Sequence, residues 1–315
     1  MNSLSTSIRS ALAASGAAGV VAAAALVAGA TTTQGATAAP SGTSTATGTA
    51  TATSTSTPTT TATTAPLTCF GLVPTILGTA GDDTIDGTAG DDVIVGLAGA
   101  DTINGLDGND TICAGDNDIR GDNGQGSDKP ITGFDVVHGG NGNDRVDGEN
   151  GVDMLYGDAG DDVLEGGDNA TTNPALSRTP EILNGGVGAD VIRGETGPSR
   201  MWGSYGADRI TGGPDADVVK GRQGNDEMAG GPGDDRIEGH LGDDVGFGNR
   251  GDDNLSDKPW SLGDDRYAGG RDEDFVDGDG GDDTLFGGPN VDEIRGGFGS
   301  DTCRSPSNPP RARGC

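Results

Sequence analysis

The chain is poor in what most globular folds are built from. Aromatic residues make up only 3% of it, six Phe, three Tyr and two Trp. Leu, Ile, Val and Phe together number 53 of 315 residues, too few for an ordinary core of this size. Basic residues are scarce as well: 19 Lys and Arg stand against 50 Asp and Glu, for a formal net charge of −31. That balance argues against nucleic acid as a partner and against anionic membrane surfaces. There are only two histidines, His138 and His240, and no His-Glu-x-x-His. There is also no Gly-x-Ser-x-Gly elbow, so the usual metalloprotease and serine-hydrolase arrangements are missing. Acidic pairs such as Asp82-Asp83 recur throughout, whereas glycoside hydrolysis needs one distinguished pair in a cleft. The reading is therefore not an enzyme. Few apolar residues and high net charge are also the composition of a disordered chain.

What is abundant is glycine, 60 residues, and it is periodic. Residues 78–113 read GTAGDDTID, GTAGDDVIV, GLAGADTIN and GLDGNDTIC, four blocks of nine. The block returns at Gly139, Gly148 and Gly157, runs eight times over 185–256, and four times over 269–304. In these nineteen copies position 1 is always Gly. Position 4 is Gly except at Asp215, Asp272 and Asn290, the residue types that best tolerate a left-handed backbone, so position 4 is expected to have positive φ. Position 6 is Asp except at Ser199, and position 8 is apolar except at Gly246. Positions 1–6 thus predict a tight turn ending in a carboxylate. Positions 7–9 predict a short strand with residue 8 inward.

Such a strand is stable only when copies stack, about 4.8 Å apart, as in a repeat solenoid. The chain must reverse at each strand end, so two blocks make one coil and the fold is all-β. Stacking also places the Asp side chains in two like-charged ladders that repel unless a cation lies among them. Oxygen-rich turns with stacked carboxylates suit Ca²⁺, which takes about six to eight oxygen ligands in flexible geometry. The composition leads to the same place independently: a chain this acidic and this periodic orders only if something neutralises it, which makes folding and metal binding one event.

The pattern resembles the RTX calcium-binding repeats, whose nonapeptide is G-G-x-G-x-D-x-U-x. The resemblance covers residues 78–304. It implies a parallel β-roll (a β-solenoid of two blocks per coil) holding multiple Ca²⁺ ions between successive turns. The family's Asp ligand maps onto Asp83, Asp92, Asp101, Asp110, Asp144, Asp153, Asp162, Asp190, Asp208, Asp217, Asp226, Asp235, Asp244, Asp253, Asp274, Asp283, Asp292 and Asp301. Asp265 joins them, because the phase recovers at Asp265-Arg266-Tyr267-Ala268 after an insertion. It recovers in the same way at Asp135-Val136-Val137-His138 and Glu181-Ile182-Leu183-Asn184. Counting these interrupted blocks, the roll should have about eleven coils.

Around the repeats the chain divides by composition. Residues 1–39 read as a cleaved export signal: Arg9 is the only charge, Ala11–Ala30 is a run of small and apolar residues, and Ala36-Thr37-Ala38 fits a cleavage site. A membrane anchor is the alternative reading of that stretch. Residues 40–66, nearly all Thr, Ser, Ala, Gly and Pro, read as a disordered spacer, either plain or O-glycosylated. Residues 67–77, LTCFGLVPTIL, are expected to cap the open end of the roll, with Thr75-Ile76-Leu77 in phase as a strand. Residues 305–315 form a Pro- and Arg-rich tail that does not look like the uncleaved C-terminal secretion signal of many RTX proteins. In an oxidising compartment the four cysteines would pair. Chain position suggests Cys303 with Cys315 and Cys69 with Cys113. Three connectivities are possible, and Cys303, at a core position, can also be read as a buried thiol.

These features suggest a secreted, extracellular protein that folds on binding calcium and serves as a structural or adhesive module, with no membrane insertion after signal cleavage. A second reading is a carbohydrate- or cell-envelope-binding module. The outward aromatics Tyr156 and Trp202 fall on one face, and Phe247, Trp260 and Phe286 on the other, each group beside inserted residues. These side chains can equally pad the insertions against the strand faces. A third is a non-catalytic accessory to a polysaccharide-modifying enzyme.

Overall fold

The computed structural model describes residues 67–116, 134–168, 179–257, 262–306 and 311–315. The export segment, the spacer, the first part of each insertion, and Trp260 lie outside them. The described residues form no helix and two parallel sheets of twelve strands each. Successive strands alternate between the sheets, so each coil contributes one strand to either face. The first sheet begins at Ile76–Leu77 and the second at Thr84–Asp86. Partners lie two blocks apart, as in Ile85 with Ile103 and Ile237 with Leu255. Where residues are inserted the register jumps and the phase survives: Ile103 pairs with Val137, Leu155 with Leu183 and Gly246 with Tyr267. Insertions therefore fall in turns, and the strands keep their alternation. The molecule is the parallel β-roll that the RTX resemblance implies, with the two-block coil that the nine-residue period predicts.

The core is one continuous row of position-8 side chains from both sheets, running from Ile85 through Ile192 and Met228 to Ile294, with Ile76 and Cys303 at its ends. Gly246 does not leave the gap that its missing side chain suggests. Tyr267, one coil on, is fully buried, and its ring occupies the space a Cβ at Gly246 would take.

The turns differ from expectation in three ways. Many strands run past position 9 into positions 1–3 of the next block, as in Val93–Ala98 and Arg236–Leu241. Most position-4 glycines do have positive φ, and so does Asp272 at 85°, but Asp215 and Asn290 do not. Both of these follow a proline, Pro214 and Pro289, whose fixed φ sets up another turn. Where Pro232 precedes a glycine, Gly233, the left-handed turn returns at φ 135°. Position 2 is left-handed in most blocks as well, and in ten of these it is not glycine: Leu97, Leu106, Glu149, Asp158, Glu195, Ser204, Arg222, His240, Asn249 and Asp279; Thr79 and Thr88, in the first two blocks, are not left-handed. Each such residue carries about 1–2 kcal/mol of backbone strain.

At the N-terminal end, Thr75–Leu77 joins the first sheet, where Thr75 N–H donates to Val93 O at 2.8 Å. Residues 69–72 instead turn back along the outer face of that sheet. Cys69 and Leu72 exchange backbone hydrogen bonds, Cys69 packs with Val95 and Cys113, and the Arg145 guanidinium lies 3.4 Å over the Phe70 ring. This fold-back is what brings Cys69 to Cys113. The two disulfides are Cys69–Cys113 and Cys303–Cys315, each with Cα atoms 5.8 Å apart.

Candidate metal-binding columns

All nineteen aspartates named above stand in two columns, one per sheet, at the mouth of each turn. All are buried except Asp83 and Asp301, which are half-buried. The backbone places them: the amide after each position-6 residue donates to the position-6 carbonyl one coil earlier, as Thr102 N–H does to Asp83 O (2.9 Å) and Asn254 N–H to Asp235 O (2.8 Å). The side chains follow the same axis. From Asp101 onward, Oδ1 of each Asp accepts the backbone N–H of the position-6 residue one coil earlier: Asp83 donates to Asp101 (2.8 Å), Asp217 to Asp235 (2.8 Å), and Asp235 to Asp253 (2.9 Å).

Oδ2 is different. At Asp110, Asp162, Asp190, Asp226, Asp235, Asp253 and Asp283 it is buried and, among the described residues, meets no hydrogen-bond donor. It lies against the position-1 glycine of its own block. A Cβ on Gly96, Gly105 or Gly212 would run into that oxygen and into the position-1 carbonyl of the next coil. This is why position 1 is always Gly: the demand is close approach, since these glycines do not have positive φ.

Buried anionic oxygens without donors are costly. Burial pushes Asp162, Asp190, Asp217, Asp244, Asp253, Asp274 and Asp283 up to about 7, and Asp144, Asp208, Asp226 and Asp235 to about 6. The N–H bond to each carboxylate works against this shift, and for most of them a neighbouring carboxylate adds to it. Hard, anionic, donor-starved oxygens beside backbone carbonyls fit an oxygen-seeking divalent cation. Among the described residues, no three His, Cys, Asp or Glu side chains are already gathered around one point. A layer must therefore complete its ligand set with main-chain oxygens.

The columns are not uniform. In the first two blocks position 2 is Thr. Thr79 donates its N–H (2.6 Å) and hydroxyl (2.9 Å) to Asp83 Oδ2, and Thr88 does the same to Asp92 Oδ2 (2.7 and 2.9 Å). Burial raises Asp92, but its bonds from Thr88 and Thr75 together bring it below the usual carboxylate range. These two carboxylates are satisfied by the protein itself. Ser199 is buried in the column without a carboxylate to offer.

Sequence reading missed several participants. Asp135 and Glu181 are fully buried in position-6 slots. Asp135 Oδ1 accepts Asp101 N–H at 2.6 Å, and the Glu181 carboxylate reaches Gly166 as the aspartates reach their own glycines. The signal was present, because each stands directly before a recovered strand, as Asp265 does. Position 5 also has a role. Where it is Asp or Asn, its oxygen accepts the position-5 N–H one coil later: Asp82 from Ala100 (3.0 Å), Asp234 from Asp252 (3.0 Å), and Asp264 from Asp282 (2.8 Å). This exposed ladder runs opposite to the position-6 ladder.

Of the outward aromatics, Tyr156 and Trp202 belong to the second sheet with Asn184 between them in register. Tyr156 is stacked on His138, ring centroids 4.6 Å apart, and His138 Nδ1 lies 2.9 Å from Asp158. Phe247 and Phe286 belong to the first sheet, on either side of Ala268. Arg266 and Arg304 each stand 6.0 Å from the Phe286 ring.

No curated protein matches the chain. The RTX calcium-binding nonapeptide repeat matches residues 77–112, 132–164, 148–170, 184–219, 220–255, 261–294 and 268–303. These segments cover more than half of the sequence and contain both carboxylate columns, and the chain belongs to the RTX calcium-binding repeat family.

Proposed function

We propose that this calcium-binding repeat protein is secreted, folds on binding multiple Ca²⁺ ions, and acts as an extracellular structural or adhesive module. One observation carries the proposal: buried carboxylates such as Asp110, Asp190 and Asp235, whose second oxygen meets no donor among the described residues. Without cations these layers repel. When bound, calcium supplies positive charge to those oxygens. The chain itself supplies the rest: Oδ1–amide bonds that orient each carboxylate, glycines that let Oδ2 approach, and an apolar row that closes once the columns are neutral. The chain would stay unfolded where calcium is scarce and become rigid at extracellular, roughly 0.1–1 mM, levels. Export supports the two disulfides and is supported by them. Limited proteolysis tests the reading: resistance in 1–2 mM calcium and rapid digestion in chelator are expected. Equal digestion in both would refute it.

A specific surface favours a second role, binding of extracellular polysaccharide or cell envelope. A depression of about 620 Å³ is lined by His138, whose ring stacks on Tyr156, and by Asn104, Leu106, Asp107 and Asp158, a mixture of apolar and hydrogen-bonding groups suited to sugars. A glycan screen with calcium, repeated with Tyr156→Ala, tests it. No glycan retained by the wild-type chain, or equal retention by both proteins, would discard it.

A further inference from the structure

One layer of the roll is built from different atoms. Asp257 follows the strand Asn254–Ser256 and so stands at position 1, where every clean block has glycine. Its side chain is 6% exposed. Oδ1 accepts the His240 N–H at 2.6 Å and the Tyr267 hydroxyl at 3.2 Å, while Oδ2 is buried and, among the described residues, meets no donor. One coil earlier, Gly239 marks the meeting point. A Cβ there would touch Tyr267 Oη, Asp244 Oδ2 and Asp257 Oδ1 together. In other layers the equivalent glycine faces its own carboxylate and a main-chain carbonyl; here a second carboxylate and a phenol take the carbonyl's place. Asp244 is 1% exposed, and its Oδ2 also lacks a donor. Asp265 stands beside Asp257, and the charges felt by Asp244, Asp265 and Tyr267 are all those of other carboxylates.

We propose that Asp244 and Asp257, with Tyr267 holding Asp257 in place and main-chain oxygens completing the ligand set, form a hard-cation site of their own that fills ahead of the repeat layers. It rests on the reading that the repeats bind calcium. The reason is charge count. A regular layer offers position-6 carboxylates and neutral carbonyls, whereas this one adds a carboxylate, and added ligand charge is what tightens oxygen sites for calcium. Tyr267 is a positioning residue. Its ring fills the space beside Gly246, and its hydroxyl donates to the very oxygen that faces the site.

The test titrates the chelator-stripped full chain with Ca²⁺ by calorimetry, and with Tb³⁺ by luminescence excited through tyrosine. Asp257→Gly restores the residue that the repeat has at this position. Tyr267→Phe keeps the ring and removes the hydroxyl. The wild-type chain should show a tight first class, about one ion and at least roughly tenfold tighter than the remainder. Asp257→Gly should lose that class and keep the later ones. Tyr267→Phe should weaken it and strongly reduce terbium emission at the first equivalent. A wild-type titration without a tight class, or an Asp257→Gly titration identical to wild type, overturns this site alone. If Asp257→Gly does not fold, an unchanged first class in Tyr267→Phe overturns it. If no layer binds calcium at all, the function proposed above fails with it.

Discussion

Asp235 and its neighbour Asp234 separate ligand chemistry from bulk charge. Each carries one negative charge, and each accepts one backbone N–H, from Asp217 at 2.8 Å and Asp252 at 3.0 Å respectively. Asp235 is 2% exposed with Oδ2 donorless and pointing at Gly230; the Asp234 bond lies in solvent. Asp235→Ala removes a charged oxygen from the layers on both sides of its coil, those of Asp217 and Asp253. The expected loss in calcium affinity is at least about tenfold per affected layer, or about 1.4 kcal/mol each. Asp234→Ala removes one exposed hydrogen bond, worth roughly 0.5–1 kcal/mol to the stability of the fold, and should move calcium affinity less than about threefold. In chelator the order reverses in sign: burial has already raised Asp235 to about 6, so its loss relieves repulsion in the metal-free stack. Calorimetric calcium titration of both variants beside the wild type decides the matter. Equal losses for the two would mean that net charge alone governs binding and that position 6 is not the ligand.

Further outcomes follow from the same geometry. Because the interior carboxylates are raised to about 6–7, the folded metal-free chain holds protons that the unfolded chain has released, so its stability is greatest near pH 4 and falls as pH rises through 7; circular dichroism in chelator should show more β signal at pH 5 than at pH 8, and no difference would contradict the burial argument. Arg222 is exposed at φ 84°, so Arg222→Gly should raise the unfolding temperature in saturating calcium, by about 0.5–1 kcal/mol of stability, where a surface glycine usually lowers it. Tyr267→Ala should open the space that Gly246 leaves and cost about 3–5 kcal/mol, read from denaturant unfolding in calcium; a loss below about 1 kcal/mol would mean that the neighbouring layers close the gap.

The period made the fold legible. Nine residues with one apolar position leave no arrangement but stacked half-coils, and the recovered phase at Asp135, Glu181 and Asp265 puts the insertions in turns. What escaped was what two coils do to each other. Position 2 varies in residue type, yet its backbone is left-handed at ten non-glycine residues between Leu97 and Asp279. Position 5 varies in residue type, and where it is Asp or Asn it accepts the same N–H, which Ala forgoes. The exchange of bulk between Gly246 and Tyr267 joins residues 21 apart, across an insertion that hides their equivalence. Thr79 and Thr88 were legible in principle, since a hydroxyl two residues into the turn can reach the carboxylate that closes it.

The central claim is that the carboxylate columns need calcium to fold. Far-ultraviolet circular dichroism of the purified chain, stripped with chelator at pH 8 and then titrated with calcium, tests it most directly. The expected result is a largely disordered spectrum that converts cooperatively to parallel β signal as calcium is added. A full β spectrum in excess chelator, unchanged by calcium, would contradict it.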